Sequence, residues 1–224
     1  MADRPAAEGA IGLLNQSVRT TRFVGRANVR KRFAPLEATP GQTSYGNGAV
    51  RIETADTATT VTPPFGMSHE GDYGTVHLAP LFDALSEDHI VAVLLVRLGG
   101  YAAGVFDGER LVASKVGSRF VKNRHKKGGS SSSRFRRRRE EQARALIDEA
   151  ARVAADTLEP WRERVEFCAF GGDRSTVAGV LATSPRLDWL KEHTLPRFFT
   201  VAEPRQNVLE RLSYDLYSAE VTDA

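Results

Sequence analysis

A mixed α/β layer fold is what this sequence predicts, and three observations predict it. The first is a run of three apolar, strand-length segments, "IVAVLLVRL" from Ile90, "YAAGVF" from Tyr101 and "RLVASKV" from Arg110, separated only by Gly-Gly and Asp-Gly-Glu. Asp-Gly and Gly-Gly supply the positive φ values that short hairpin loops demand, so Ile90 to Val116 reads as a three-stranded antiparallel meander. The second is the placement of Ala143, Leu146, Ile147, Ala150, Ala154 and Leu158 at spacings of three and four. That puts one apolar face on a helix from about Arg134 to Leu158, closed by Pro160. The third is strict alternation afterwards: "VEFCAF" as a buried strand, "GGD" as a strand-to-helix turn, Ser175 to Leu181 as a short helix, "RFFTV" as a strand, and a last helix opened by Pro204 and running to about Ser218. Three antiparallel strands followed by helix, strand, helix, strand, helix is the element order of an RNase H-like mixed sheet, with the later strands parallel through crossovers.

Ahead of this the pattern is weaker. Residues 1–18 are polar and Ala/Gly-containing without a sustained period, and read as a weakly ordered lead-in. Residues 19–87 alternate in places, as in "AVRIETA" and "TTVTPP", with the turn cluster "SYGNG" between, which predicts a small N-terminal unit, β-rich or α/β. Residues 88–220 then form the main domain. His69 and His77 stand isolated in the sequence, and a lone histidine is more often structural than a ligand.

Composition bounds the function. The 224 residues, 41% hydrophobic, suffice for one core with a smaller appended unit. No apolar run approaches the roughly 20 residues needed to span a bilayer, and "MADRPAAEGA" lacks the charged-then-apolar pattern of a signal peptide, so the expectation is a cytosolic protein with no membrane partner. The single cysteine, Cys168, rules out an internal disulfide and a cysteine-based zinc cluster, and inside "VEFCAF" it reads as a small buried apolar residue. No metal or cofactor is expected, and no oligomer signal is readable.

The net charge of +3 conceals an uneven distribution. Arg119 to Arg139 hold ten of the 31 Lys and Arg and none of the 28 acids, so the remainder carries 21 minus 28, or −7. A mildly acidic body with one concentrated basic segment fits a polyanion-binding element. The blander explanation is a solvated surface, and the segment's contents decide between them. It reads "HKKGGSSSSRFRRRR" from His125 and lies at the junction between the third strand and the first long helix, where functional loops are commonly presented. Ser132 or Ser133 can cap the helix. Arg136, Arg137, Arg138 and Arg139 fill its first turn, where cations oppose the macrodipole at a cost of about a few tenths of a kcal/mol each. Glu140 and Glu141 offer i,i+4 pairing, but two glutamates cannot neutralise four consecutive arginines. A nucleic-acid backbone is the better counter-charge. The candidate nucleic-acid-binding residues are therefore Arg119, Lys122, Arg124, Lys126, Lys127, Arg134, Arg136, Arg137, Arg138 and Arg139.

These residues also carry a family resemblance. "VLLVRLGGYAAGVFDGERLVASKVGSR", followed by "GGSSSSRFRRRREEQ" and "FGGDR", resembles the release-factor-like peptidyl-tRNA hydrolases of the VLRF type, in particular their actinobacterial branch, across about residues 88 to 218. The resemblance implies kinship with the catalytic middle domain of eukaryotic and archaeal class I release factors, a role in ribosome rescue or quality control, and tRNA and the ribosome, at its large subunit, as partners. Family members carry a Gly-Gly pair, a short spacer, usually a glutamine, then Arg-Phe and an arginine run leading into a helix. Gly128, Gly129, Arg134, Phe135 and Arg136 to Arg139 match, whereas Ser132 stands where glutamine is expected.

The implied reaction is hydrolysis of the ester joining a nascent peptide to the tRNA 3′ end, in which negative charge develops on oxygen. A backbone N–H can stabilise that oxyanion whatever the side chain; the glycines let the loop approach RNA closely, and serine hydroxyls can orient a water. The implied catalytic residues are Gly128, Gly129, Ser131 and Ser132. Two other classes stay open: a nonhydrolytic tRNA- or ribosome-binding factor, and a tRNA 3′-end nuclease. Against a metal-dependent nuclease, Asp107 and Glu109 sit at a hairpin turn and are explained as turn residues. A Ser-His-Asp hydrolase is weaker, since His125 lies near the serines but no G-x-S-x-G elbow follows a strand. The "GGDR" turn from Gly171 to Arg174 reads as turn geometry rather than as a phosphate site.

Overall fold

Alternating burial in the N-terminal stretch builds a first sheet. The computed structural model describes residues 20–119 and 132–223, so the expectation for residues 1–18 lies outside the described residues. Strand β1 (Thr20–Gly25) runs directly into helix α1 (Arg26–Phe33). Strands β2 (Gly41–Gly46), β3 (Ala49–Thr54) and β4 (Ala58–Thr62) then form an antiparallel meander, and the short β5 (Gly71–Tyr73) pairs with the outer edge of β2. Along β3, Val50 and Ile52 are buried while Arg51 between them is exposed. These inward side chains pack with Val29 and Phe33 of α1 and with Leu81 and Leu85 of helix α2 (Ala79–Ser86). Period-two burial on one face only is what an antiparallel sheet covered on one side requires.

The second sheet follows the predicted element order. Strands β6 (Ile90–Arg97), β7 (Gly100–Asp107) and β8 (Arg110–Ser118) are consecutively antiparallel, and the separators do what their chemistry allows: Gly99 has φ 116° and Gly108 φ 59°. Helix α3 (Ser132–Leu158) leads to β9 (Phe167–Gly172), which pairs parallel with β6; helix α4 (Arg174–Thr183) leads to β10 (Thr194–Phe199), parallel to β9; and helix α5 (Gln206–Leu216) follows. The strand order β10–β9–β6–β7–β8 is the RNase H-like arrangement that the sequence predicts.

Helices cover both faces, which explains why β6 is a continuous apolar run. Ala92, Leu94 and Val96 face one core with Leu146, Ala150, Ala154 and Leu158 of α3. Val91, Val93 and Leu95 face the other with Leu209, Leu212 and Leu216 of α5. Cys168 of β9 is fully buried, and burial pushes its thiol up to about 12. It is the small core residue expected.

Two expectations are corrected. The sequence predicts a last helix to about Ser218 and no element after it, but α5 stops at Leu216 and Ser218–Asp223 form a further strand, β11. It inserts antiparallel between β1 and β4, completing a six-stranded sheet of order β1–β11–β4–β3–β2–β5. Ala219 and Val221 enter the first core, and the Asp223 carboxylate accepts from Arg22, Arg32 and Thr59. Nor are His69 and His77 isolated. Both rings lie against Tyr73, at 6.0 and 4.5 Å between centroids, and His69 Nε2 is 2.9 Å from the Tyr73 hydroxyl. The fold collects them into an aromatic cluster with Tyr45, which donates to the His77 carbonyl and is pushed up to about 12 by burial.

Candidate nucleic-acid interface

Strand direction decides which groups meet. β6 and β8 run the same way because both are antiparallel to β7, and β9 and β10 run parallel to β6. Their carboxyl ends, at Arg97, Ser118, Gly172 and Phe199, therefore form one edge of the sheet, the edge at which open α/β sheets take ligands. The basic connection from β8 to α3 leaves from this edge. Asp107 and Glu109 lie at the other end of β8, about 30 Å away for a strand of nine residues. Glu109 is also taken by Arg26 at 2.8 Å, as befits a turn residue with a structural partner.

Gly128, Gly129, Ser131, Lys122, Arg124, Lys126, Lys127 and His125 lie outside the described residues, and Ser132 is the first residue of α3. What the structure does describe is how the connection is rooted. The Arg119 backbone N–H donates to the Gly99 carbonyl at 3.1 Å, and Arg119 Nη1 donates to Glu149 Oε2 of α3 at 2.8 Å. The Tyr101 hydroxyl donates to the other Glu149 oxygen at 3.0 Å. Hydrogen bonds from Arg119 and then Tyr101 hold the Glu149 carboxyl below its ordinary value, while burial, followed by the bond to Glu149, raises the Tyr101 hydroxyl. One carboxylate thus ties the end of β8, the start of β7 and α3 together.

Helix α3 overshoots its own core. Leu146 is its first fully buried residue, and Ser133 to Ala145 include none, a stretch of about 20 Å at 1.5 Å per residue. The arginine run occupies this part of the helix, ahead of its first fully buried residue. Arg137 pairs with Glu141 at 3.1 Å and Arg136 lies 3.9 Å from Glu140, each pair largely solvent-exposed and so of little energetic weight. Among the described residues, Arg134, Arg138 and Arg139 face no carboxylate within salt-bridge reach, and Arg139 Nε is buried without a hydrogen-bond partner. Pairing therefore accounts for two of the five arginines between Arg134 and Arg139, and Arg139 alone among them is partly buried.

Beside the root of the connection lies a cleft of about 530 Å³ bounded by Arg97, Leu98, Gly99, Gly100, Val116 to Ser118 and Ala202 to Gln206. Arg97 Nη1 donates to the carbonyls of Val201 and Ala202, each at 3.1 Å, which fixes the guanidinium against the β10–α5 connection. At the neighbouring strand end, Gly172 has φ 102°, and a Cβ there would run into the Val96 carbonyl. This close approach lets the Asp173 N–H donate to Val96 O at 2.8 Å. The Asp173 carboxylate accepts from Thr176 N, Thr176 Oγ1 and Ser175 Oγ, capping α4 and held below its ordinary value by these bonds. The "GGDR" segment is strand-to-helix geometry. Among the described residues no cluster of three or more His, Cys, Asp or Glu is arranged to hold a metal ion, and no helix is long and apolar enough to cross a membrane.

Sequence reasoning missed Glu149, Tyr101 and Arg97. Glu149 carries a faint signal, since it precedes Ala150 and so flanks the apolar stripe of α3. Arg97 and Tyr101 read as ordinary ends of strands, and only the strand order brings them to the loop.

No curated protein matches the chain. Among solved structures, the Vms1 mitochondrial localization core is 12% identical at a TM-score of 0.45, covering 87% of this chain and 80% of that one. The archaeal translation termination factor aRF1 is 17% identical at 0.42, covering 86% and 55%, so the chain spans about half the length of that factor. Archaeoglobus fulgidus Pelota is 10% identical at 0.33, covering 88% and 62%. Residues 89–222, more than half of the chain, match the Actinobacteria/chloroflexi VLRF1 release factor family, and the chain belongs to that family, as its loop and arginine run led us to expect.

Proposed function

We propose that the chain is a ribosome-associated peptidyl-tRNA hydrolase that frees nascent peptide from tRNA during ribosome rescue or quality control. The observation that carries this reading is the arginine-rich start of α3, which extends past its core packing from the same sheet edge that launches the Gly128–Gly129 connection. A cationic helix start in that position is suited to phosphate oxygens of RNA, with Lys122, Arg124, Lys126 and Lys127 adding charge along the connection. Water attacks the ester carbonyl, a backbone N–H of the Gly128–Ser132 loop steadies the oxyanion, and the Ser131 and Ser132 hydroxyls orient the water. The bond from the carbonyl carbon to the ribose oxygen then breaks, one proton of the attacking water passing to the departing ribose oxygen and the other to solvent, which leaves a free peptide carboxylate and intact tRNA. The large ribosomal subunit is the expected setting.

Ser132 in the place of the family's glutamine favours a second reading, a factor that binds tRNA or ribosome without hydrolysis. One experiment separates them. Purified protein is incubated with ribosomal complexes bearing labelled peptidyl-tRNA, and peptide, tRNA and shortened tRNA are resolved together. Released peptide with full-length tRNA supports the hydrolase; shortened tRNA would indicate a nuclease; binding with neither product would indicate the nonhydrolytic factor.

A further inference from the structure

The cleft at the root of the β8–α3 connection has the makings of a site in its own right. Three of its wall residues, Gly99, Gly100 and Gly117, carry no side chain, so backbone forms much of its surface. A Cβ on Gly117 would run into the Tyr101 ring. Leu98 and Val116, 43% and 36% exposed, are two of only five large apolar side chains exposed among the described residues, and both stand at this cleft. Glu203 pairs with Arg205 on the rim, leaving Arg97 as the unneutralised charge. Its Nη1 is spent on two carbonyls, while Nε and Nη2 make no hydrogen bond among the described residues. The volume of about 530 Å³ falls in the range of about 300 to 1,000 Å³ that encloses small ligands.

Apolar side chains held in water beside a fixed, half-used guanidinium suit a group that is flat and apolar on its faces and anionic or hydrogen-bonding at its edge. An unstacked nucleotide at a single-stranded RNA end is such a group, whereas a base inside a duplex could not enter. We propose that this cleft seats the terminal nucleotide of the tRNA 3′ strand, with the base against Leu98 and Val116 and Arg97 presenting its free edge to phosphate or base. The proposal deepens, and rests on, the reading of the chain as a peptidyl-tRNA hydrolase. It also gives the fixed geometry of Arg97 a purpose, and the cleft adjoins Arg119, whose N–H donates to the carbonyl of its wall residue Gly99.

The test compares binding of two probes by fluorescence anisotropy: a tRNA labelled in its body with its 3′ end intact, and the same tRNA lacking its terminal nucleotide. The parent protein should prefer the intact probe by about tenfold, the order of one base stacked on the protein. Leu98→Asp and, separately, Val116→Asp should bind both probes at the affinity of the shortened one. Both side chains are exposed, and two independent variants, each checked by thermal unfolding, guard against a folding artefact. Arg137→Glu with Arg138→Glu should weaken both probes and preserve the ratio. A parent that does not discriminate overturns the seat, as does retention of the preference by a folded Leu98→Asp protein. Discrimination by a protein that releases no peptide would leave the seat standing and overturn hydrolysis, so the two ideas fail separately.

Discussion

Arg119 Nη1 donates to Glu149 Oε2 at 2.8 Å, joining the last described residue before the basic connection to the helix that follows it. The pair is partly exposed, at 49% and 32% of the two side chains, and its direct contribution to stability is under about 1 kcal/mol. Its consequence is that the end of β8 is fixed against α3.

Glu149→Gln removes the charge while keeping an acceptor for Tyr101. Unfolding temperature should change little, whereas single-turnover peptide release should fall about tenfold, because small displacements of reacting groups cost rate steeply. Arg119→Lys, which keeps the charge opposite an intact Glu149, should lose less than Glu149→Gln does. The pH dependence has a defined sign: Glu149 is held below its ordinary 4.5 in the folded protein, so the tie is present above that value and disappears as pH falls through the lowered one. Release by Glu149→Gln at the parent rate would show that the tie does not position the loop.

Reversal of Arg137 and Arg138 to Glu tests the projecting turn. Neither side chain is buried, and cations at a helix start oppose the macrodipole, so stability should be unchanged or slightly raised. Affinity for tRNA or ribosome should drop by more than tenfold, and the slope of log affinity against log salt should shrink by about 2, since each arginine neutralises about one phosphate. Normal binding would reduce the arginine run to a solvated helix face.

The C-terminal strand yields a stability prediction. Val221 is fully buried between strands from the other end of the chain, so Val221→Ala should cost about 2 kcal/mol and lower the unfolding temperature by about 4 to 8 °C. Glu220→Gln on the exposed side of the same strand should stay within about 0.5 kcal/mol. Equal effects at the two positions would mean that β11 does not pair as described.

That strand also marks the limit of what the sequence discloses. The meander, α3 and the parallel strands were legible because each is announced locally, by turn glycines or by a period of 3.6. "SAEVTD" is six residues with no turn before it, and its partners, Thr20–Gly25 and Ala58–Thr62, lie far away in sequence, so nothing nearby distinguishes it from the tail of α5. The same holds for the interface. The arginine run stands out as composition, and the family's Gly-Gly and Arg-Phe spacing marks the loop. Glu149, Tyr101 and Arg97 become part of it only through tertiary placement, in which a hydrogen bond between residues 30 apart has no sequence signature.

The final prediction addresses the loop itself, whose residues Gly128, Gly129 and Ser131 lie outside the described ones. The two glycines match the family where the glutamine does not, which argues that backbone geometry outlasted the side chain. If a backbone N–H is the oxyanion donor, Gly129→Ala adds a Cβ where close approach or positive φ is needed and misplaces that donor. Peptide release should then fall about a hundredfold or more, the usual cost of removing one such donor. Ser132→Ala keeps the N–H and removes only a hydroxyl that orients water, so a decrease of about tenfold or less is expected, and Ser132→Gln should match or exceed the parent. The measurement is single-turnover release at saturating protein, with binding to the same complexes followed in parallel so that affinity and chemistry are separated. Should Gly129→Ala release peptide at the parent rate, or should Ser132→Ala prove as damaging as the glycine change, the backbone-donor mechanism is wrong and the serine side chain becomes the direct catalyst.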